Sequence, residues 1–312
     1  MVRKLRKLKN NITITTSNFK RPKRFHTDLK YILNWNHEPT YRGSNFVKGQ
    51  TPFLMNNCTY TNCYLTIDKT LLPDFRYFDA ILFGVESDWD IHPLLRAYYQ
   101  NYIFTTSQSA RTYPICNEKY DNYYNLTWTY RLDSDIIKSK FKIMDLNANV
   151  IGPKKDMLWI TKMQPTTDEV KRKLKEKKKA AAWFLSNCAP TSNLIISLNQ
   201  SLSAAKLTLD SYGWCGKYKC PKNRIEECLL LLKKNYYFYF AFERSFAEDY
   251  VTEDLLHPLL NYAVPVVYGG ADFSRFLPPG SYIDASKLDT SDVVTEIQKS
   301  IKNRHKYYEY FR

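Results

Sequence analysis

The strongest hydropathic signal in the chain is the run Tyr236–Phe242 (YYFYFAF), apolar throughout and uncharged, followed at once by the polar stretch Glu243–Glu253. A strand covered on both faces reads this way, because neither side of it has to meet water. Thr252-Glu253-Asp254 then opens a helix. Ala263–Tyr268 gives the next short strand, with Pro265 near its start where a missing donor is tolerated, and Gly269-Gly270 marks a turn. The unit is βαβ-like. Open parallel sheets bind ligands at the carboxyl ends of their strands, where loops and helix N-termini offer N–H groups to phosphates. That makes the polar stretch after Phe242 the candidate site.

Further elements follow from the same patterns. Tyr77–Phe83 and Tyr102–Thr105 read as strands, and Leu126, Trp128 and Tyr130 alternate with Asn125, Thr127 and Thr129 at the period of a half-buried strand. Ala181–Leu185 is another strand, and residues 193–205 are helical. A closing helix over Asp292–Phe311 is expected, with Ser291 as N-cap and Val293, Val294, Ile297 and Ile301 on one face. Pro165–Lys179 turns polar and basic, as a linker does. The expected organisation is a basic disordered tail (residues 1–24), an α/β domain (25–164), a basic linker (165–179) and a second α/β domain (180–312). No internal repeat is present.

The chain has 312 residues and a formal net charge of +15, which invites a nucleic-acid reading. The charge is confined, however. Residues 1–24 hold nine Lys/Arg and no acid, and Lys171–Lys179 (KRKLKEKKK) carries +6, so these two segments account for the whole excess. A tail and a solvated segment do not make a basic, aromatic binding face, and nucleic acid is excluded as the main partner. Seven cysteines are too few for a disulfide scaffold, but Cys58 with Cys63 and Cys215 with Cys220 suggest local loops. No paired CxxC spacing supports a zinc site. With sequons at Asn11, Asn57, Asn125 and Asn199, the cysteines point to an oxidising, secretory compartment. No apolar run of 18 residues or more occurs, so no segment here reads as a membrane span.

Phe242-Glu243-Arg244-Ser245, Asp249-Tyr250-Val251-Thr252-Glu253, Val264-Pro265-Val266-Val267, Gly269-Gly270 and Pro278-Pro279-Gly280-Ser281 resemble the donor-binding signature of the α-1,3-fucosyltransferases, glycosyltransferase family 10. Upstream, Tyr120-Asp121-Asn122, Asn125–Arg131 (NLTWTYR) and Asp133–Ile136 (DSDI) are similar to a second landmark. Trp183–Cys188 (WFLSNC) and Cys215-Gly216 with Cys220-Pro221 are similar to two more, so the resemblance extends over residues 31–312. It implies two Rossmann-like α/β domains facing a cleft, the GT-B type, with acceptor on the first and nucleotide sugar on the second. The reaction it implies is inverting transfer of fucose from GDP-fucose to a glycan acceptor on a glycoprotein, with no obligatory metal cofactor. It also implies a Golgi enzyme attached to the membrane by an N-terminal anchor. This chain lacks such an anchor and the family's further C-terminal structure, so the expectation is a gene product incomplete at both ends or a short natural isoform. Arg244, Ser245, Tyr250, Glu253 and Asp254 occupy the donor-binding positions. Glu253 suits a ribose hydroxyl pair; the plainer readings are a core tyrosine at 250 and an acid favoured by a helix N-terminus at 253.

Several positions depart from the pattern. Gln108, in Thr106-Ser107-Gln108-Ser109-Ala110, stands where the family's catalytic glutamate is expected, and an amide does not accept a proton at neutral pH. Glu86 is a substitute carboxylate, or an ordinary loop acid. Arg244 replaces an Asn, Asp254 a Lys, and Leu194 an Arg; the last two would normally face the diphosphate. Exchanging attraction for repulsion there costs on the order of a few kcal/mol at an effective dielectric near 20. Pro258 should kink the helix that starts at Thr252. Asp133-Ser134-Asp135 resembles a DxD metal motif but also fits a hydrogen-bonding role. The alternative to an active enzyme is therefore a catalytically inactive member, kept as a glycan- or partner-binding protein of the secretory pathway.

Overall fold

The computed structural model describes residues 23–35, 48–85, 92–93, 95–116, 118–185 and 193–312. They fall into two compact units that divide between Lys138 and Ser139. In the first, β1 (Lys30–Asn34), a short helix α1 (Thr51–Met55), β2 (Cys63–Thr66), β3 (Ala80–Gly84), β4 (Asn101–Thr106), β5 (Leu126–Thr129) and β6 (Ile136–Ile137) follow in turn. The strands form one parallel sheet in the order β2-β1-β3-β4-β5-β6. Leu33, Phe78, Ile81, Phe83 and Tyr102 make its core. β3 starts later than hydropathy suggests, because a 3-10 turn over Phe75–Tyr77, capped by Asp74, takes up the first residues. On β5 the alternation does not become a wet and a dry face. Leu126 and Trp128 are half-buried and Thr129 is buried, since β5 lies between β4 and β6 in a parallel sheet.

The second unit begins with an antiparallel ribbon, β7 (Ile143–Met144) and β8 (Val150–Gly152), followed by α2 (Asp168–Leu174), β9 (Lys179–Leu185), α3 (Asn193–Ala204) and β10 (Leu209–Gly213). Then come α4 (Ile225–Asn235), β11 (Tyr236–Phe242), α5 (Leu256–Leu260), β12 (Val264–Tyr268), β13 (Ile283–Asp284), α6 (Thr290–Lys302) and α7 (Arg304–Glu309). Its parallel sheet runs β10-β9-β11-β12-β13. Counted within the unit this is the order 2-1-3-4-5, so the winding reverses between β9 and β11. β11 is central, as its apolar run requires: Phe238 and Phe240 enter the core with Val293, Ile297 and Tyr307 from the closing helices.

Three expectations need correction. Residues 165–179, read as a linker from their charge, contain α2, capped by Thr167. Leu174 and Lys177 are only 2% and 3% exposed. Composition misleads here because the other charges line a solvated helix face, while the Lys177 ammonium donates to the carbonyls of Lys233 (3.0 Å) and Tyr236 (2.7 Å) where α4 meets β11. Burial pulls the Lys177 amine down to about 7. The closing helix is two helices: it starts at Thr290 without a side-chain cap from Ser291, and Asn303 breaks it and caps α7 through its own carboxamide. Cysteine pairing also differs. Cys220 bonds to Cys228 on α4, Cys215 is in a disulfide, and Cys58 and Cys63 are free thiols.

Candidate functional site

The winding reversal puts the polar segment after β11 at the carboxyl edge of the second sheet, where ligands of such sheets bind. Its side chains close the segment into a loop. The Glu243 N–H donates to Tyr268 O on β12 (2.8 Å), and its carboxylate Oε1 accepts from the Thr252 N–H (2.8 Å) and hydroxyl (3.2 Å), joining the two ends of the loop. Thr252 is thus a donor to Glu243 and not a side-chain cap of the 3-10 turn it precedes. Farther along, buried Asp249 adopts φ +62° and accepts from Arg275 Nη1 at 2.7 Å. Phe246 stacks edge-on against Tyr268 at 4.8 Å. The two glycines after β12 make this packing possible: a Cβ at Gly269 would lie 3.0 Å from Glu243 Cβ, and one at Gly270 2.5 Å from the Phe246 carbonyl carbon.

Charge at the site is mixed. Burial drives the Glu243 carboxyl up to about 7; the Thr252 bonds oppose this, and the nearby acids Asp254 and Glu253 add to it. Asp254 is also raised, by burial and by Glu253, against the pull of His257 and Arg244. His257, whose Nδ1 lies 3.2 Å from the Tyr239 hydroxyl, is lowered by burial. Glu253 is mostly exposed; burial of its carboxyl is outweighed by its own N–H and by Lys140 at 3.2 Å, and it sits below the usual carboxylate range.

The five expected donor-site residues therefore share one loop and the turn that ends it. Arg244 is exposed and makes no hydrogen bond or ion pair among the described residues, with Asp254 as an acid close enough to feel its charge. Ser245 is 3% exposed with an unpartnered hydroxyl. Tyr250 is half-buried. Pro258 produces no kink inside a regular helix: the segment splits into a 3-10 turn over Glu253–Leu255 and α5, and Pro258 falls in the first turn of α5. Leu194, at the start of α3, packs against the hydrophobic core.

In the first unit Gln108 is half-buried just beyond β4, its N–H held by Thr106 Oγ1 at 2.9 Å. Asp133 forms a two-pronged pair with Arg131 (both 2.9 Å), and Asp135 accepts from the Thr127 N–H and hydroxyl. Both carboxylates of the DxD-like triplet thus act as intrachain hydrogen-bond acceptors. No cluster of three His, Cys, Asp or Glu able to hold a metal occurs among the described residues. Glu86 lies outside the described residues. A cavity of about 500 Å³ lined by Arg24, Tyr31 and Tyr77 lies at the amino ends of β1 and β3, away from the carboxyl edge.

Sequence reasoning missed Glu243, which has an unpartnered Oε2 as well as the bonds that close the loop. The signal available was an acid directly after a buried strand and nine residues before Thr252. Its proton has a readable consequence. The folded chain holds it between the ordinary value of 4.5 and about 7, so this group's contribution to stability is greatest below 4.5 and falls as pH rises through the window. Glu243→Gln should flatten that limb of a urea-midpoint profile between pH 4.5 and 8, an effect of up to about 3 kcal/mol. An unchanged slope would show that burial does not hold the proton.

Comparison with known proteins places these features. "Glycosyltransferase family 10 (fucosyltransferase) C-term" matches residues 174–312, and "Fucosyltransferase, N-terminal" matches residues 27–140. The chain is 32% identical over 253 residues to α-(1,3)-fucosyltransferase C of Drosophila melanogaster, covering 78% of this chain and 58% of that protein. It is 27% identical over 297 residues to glycoprotein 3-α-L-fucosyltransferase A of the same organism, covering 91% and 52%. The chain thus spans between half and two thirds of the length of these relatives. The crystal structure of an α1,3-fucosyltransferase with GDP aligns with a TM-score of 0.55 at 13% identity, covering 94% of this chain and 84% of that one. The expected GT-B class of two Rossmann-like α/β domains is the fold it shares. No helix among the described residues is long and apolar enough to cross a membrane.

Proposed function

The chain belongs to glycosyltransferase family 10, the fucosyltransferases, and we propose that it transfers fucose from GDP-fucose to a hydroxyl of a glycoprotein glycan, forming an α-1,3 linkage with inversion. The acceptor oxygen bonds to the anomeric carbon as the bond from that carbon to the GDP oxygen breaks. The hydroxyl proton passes to a base, and GDP leaves as an anion through an oxocarbenium-like state. The observation that carries this reading is the loop from Glu243 to Thr252: closed on itself, locked to Arg275 and placed at the carboxyl edge where the winding reverses. There Arg244 meets the diphosphate, Ser245 offers a buried hydroxyl, Tyr250 packs on the nucleotide, and Glu253 takes the ribose hydroxyls. Asp254 stands beside them, 3.8 Å from His257 and within reach of the Arg244 charge. No metal enters these steps, so turnover should persist in EDTA. Family membership also supports a place in the Golgi lumen.

A second reading is favoured by Gln108 and Asp254: a protein that binds nucleotide sugar or glycan without turning it over. Purified protein with GDP-fucose and an N-glycan acceptor, followed by GDP release and calorimetric GDP binding, separates the two. Release supports the transferase. GDP binding without release supports the second reading, and no GDP binding at millimolar ligand overturns the transferase.

A further inference from the structure

Trp214 leaves 82% of its surface exposed, yet the loop that carries it is pinned. β10 ends at Gly213 with φ +122°, where a Cβ would come within 2.2 Å of the Leu185 carbonyl oxygen on β9. At Gly216 a Cβ would lie 2.6 Å from the Tyr212 carbonyl carbon. The Gly213 N–H donates to Tyr218 O and the Tyr218 N–H to Ser211 O, each at 2.9 Å, while the Lys217 N–H donates to Ser211 Oγ at 3.0 Å. Cys215 is disulfide-bonded, and Cys220 is tied to Cys228 on α4. A loop held at so many points has little freedom left to lose, so the indole is preorganised for whatever covers it.

Its place and its neighbours say what that is. Gly213 pairs with Leu185 at the end of β9, β9 pairs with β11, and all three strands are parallel. Trp214 and Arg244 therefore emerge from the same edge of the sheet, two strand spacings apart, or about 10 Å. A nucleoside diphosphate reaches about that far from its base to its terminal phosphate. The Lys219 ammonium lies 5.9 Å from the indole centroid, and Lys217 is on the same loop. A π face with a cation beside it, on a basic loop, suits an anionic ligand that carries a flat heterocycle better than it suits a neutral sugar.

The geometry points to Trp214 as the stacking platform for the donor's nucleobase, with Arg244 at the diphosphate; this rests on the nucleotide-sugar reading of the site. Calorimetry with GDP and with inorganic pyrophosphate tests it on the wild type and on Trp214→Ala, Trp214→Phe and Arg244→Ala. Trp214→Ala should weaken GDP at least about tenfold and leave pyrophosphate unchanged, and Trp214→Phe should restore most of the loss. Arg244→Ala should weaken both ligands. Wild-type GDP affinity in Trp214→Ala overturns the assignment and leaves the proposed function standing, as does a loss confined to glycan acceptor binding. Failure of the wild type to bind GDP overturns both.

Discussion

Gln108→Glu is expected to raise turnover by about 10²–10⁴-fold, the usual range for supplying a positioned general base. Gln108 lies just beyond β4, and its N–H bonded to Thr106 Oγ1 fixes the turn that carries it. Glutamate has nearly the same shape as glutamine, so the backbone bond and the fold should survive the exchange. What changes is proton affinity: a carboxylate accepts the acceptor hydroxyl's proton and an amide does not. GDP affinity should stay where it was, because the change lies in the other unit, so the gain should appear in kcat alone. Initial rates of GDP release for the two proteins, at saturating donor and acceptor, decide the matter. Equal rates would mean that the proton leaves by another group.

Arg275→Ala should lower stability by about 1–3 kcal/mol, as when a buried polar group loses one of its partners. The Asp249 side chain is 2% exposed and takes a 2.7 Å bond from Arg275, whose guanidinium also lies 3.8 Å from Glu248 and 3.7 Å from Asp272. Removing the cation takes one partner from Asp249 and weakens the attraction that holds three neighbouring acids together. The donor loop should loosen with it, so GDP affinity and the urea midpoint should fall together. Asp249→Asn added to Arg275→Ala should recover much of the stability, since asparagine tolerates the φ of +62° and removes the charge. If the double variant is no more stable than the single one, lost packing and not the charge of the carboxylate accounts for the effect.

Much of the fold was legible because burial is written into composition. The run at Tyr236–Phe242 could only be an interior strand, and it is the central strand of its sheet. Residues 193–205 carried a helical pattern that α3 follows to within a residue. Where charge stood in for burial the reading failed: α2 looked like a linker, since a lysine that meets two carbonyls in the interior has the same letter as one in water. The site was half legible. Tyr250 and Glu253 were singled out through motif, whereas Glu243 was quoted only within a motif and Trp214 was not singled out at all. Their meaning lies in neighbours that are remote in sequence, Thr252 and Gly269 for the one and the β9 edge for the other.

By itself the sequence determined which apolar runs leave water, the α/β class and the family, because each follows from local order: apolar runs, turn residues and motifs at fixed spacing. Only the tertiary structure decided which strand lies beside which, where the winding reverses, which acid burial pushes up towards neutrality and which aromatic stays uncovered. Those properties depend on distances across the sheet and on exclusion of solvent, and both arise only when segments far apart in the chain are packed together.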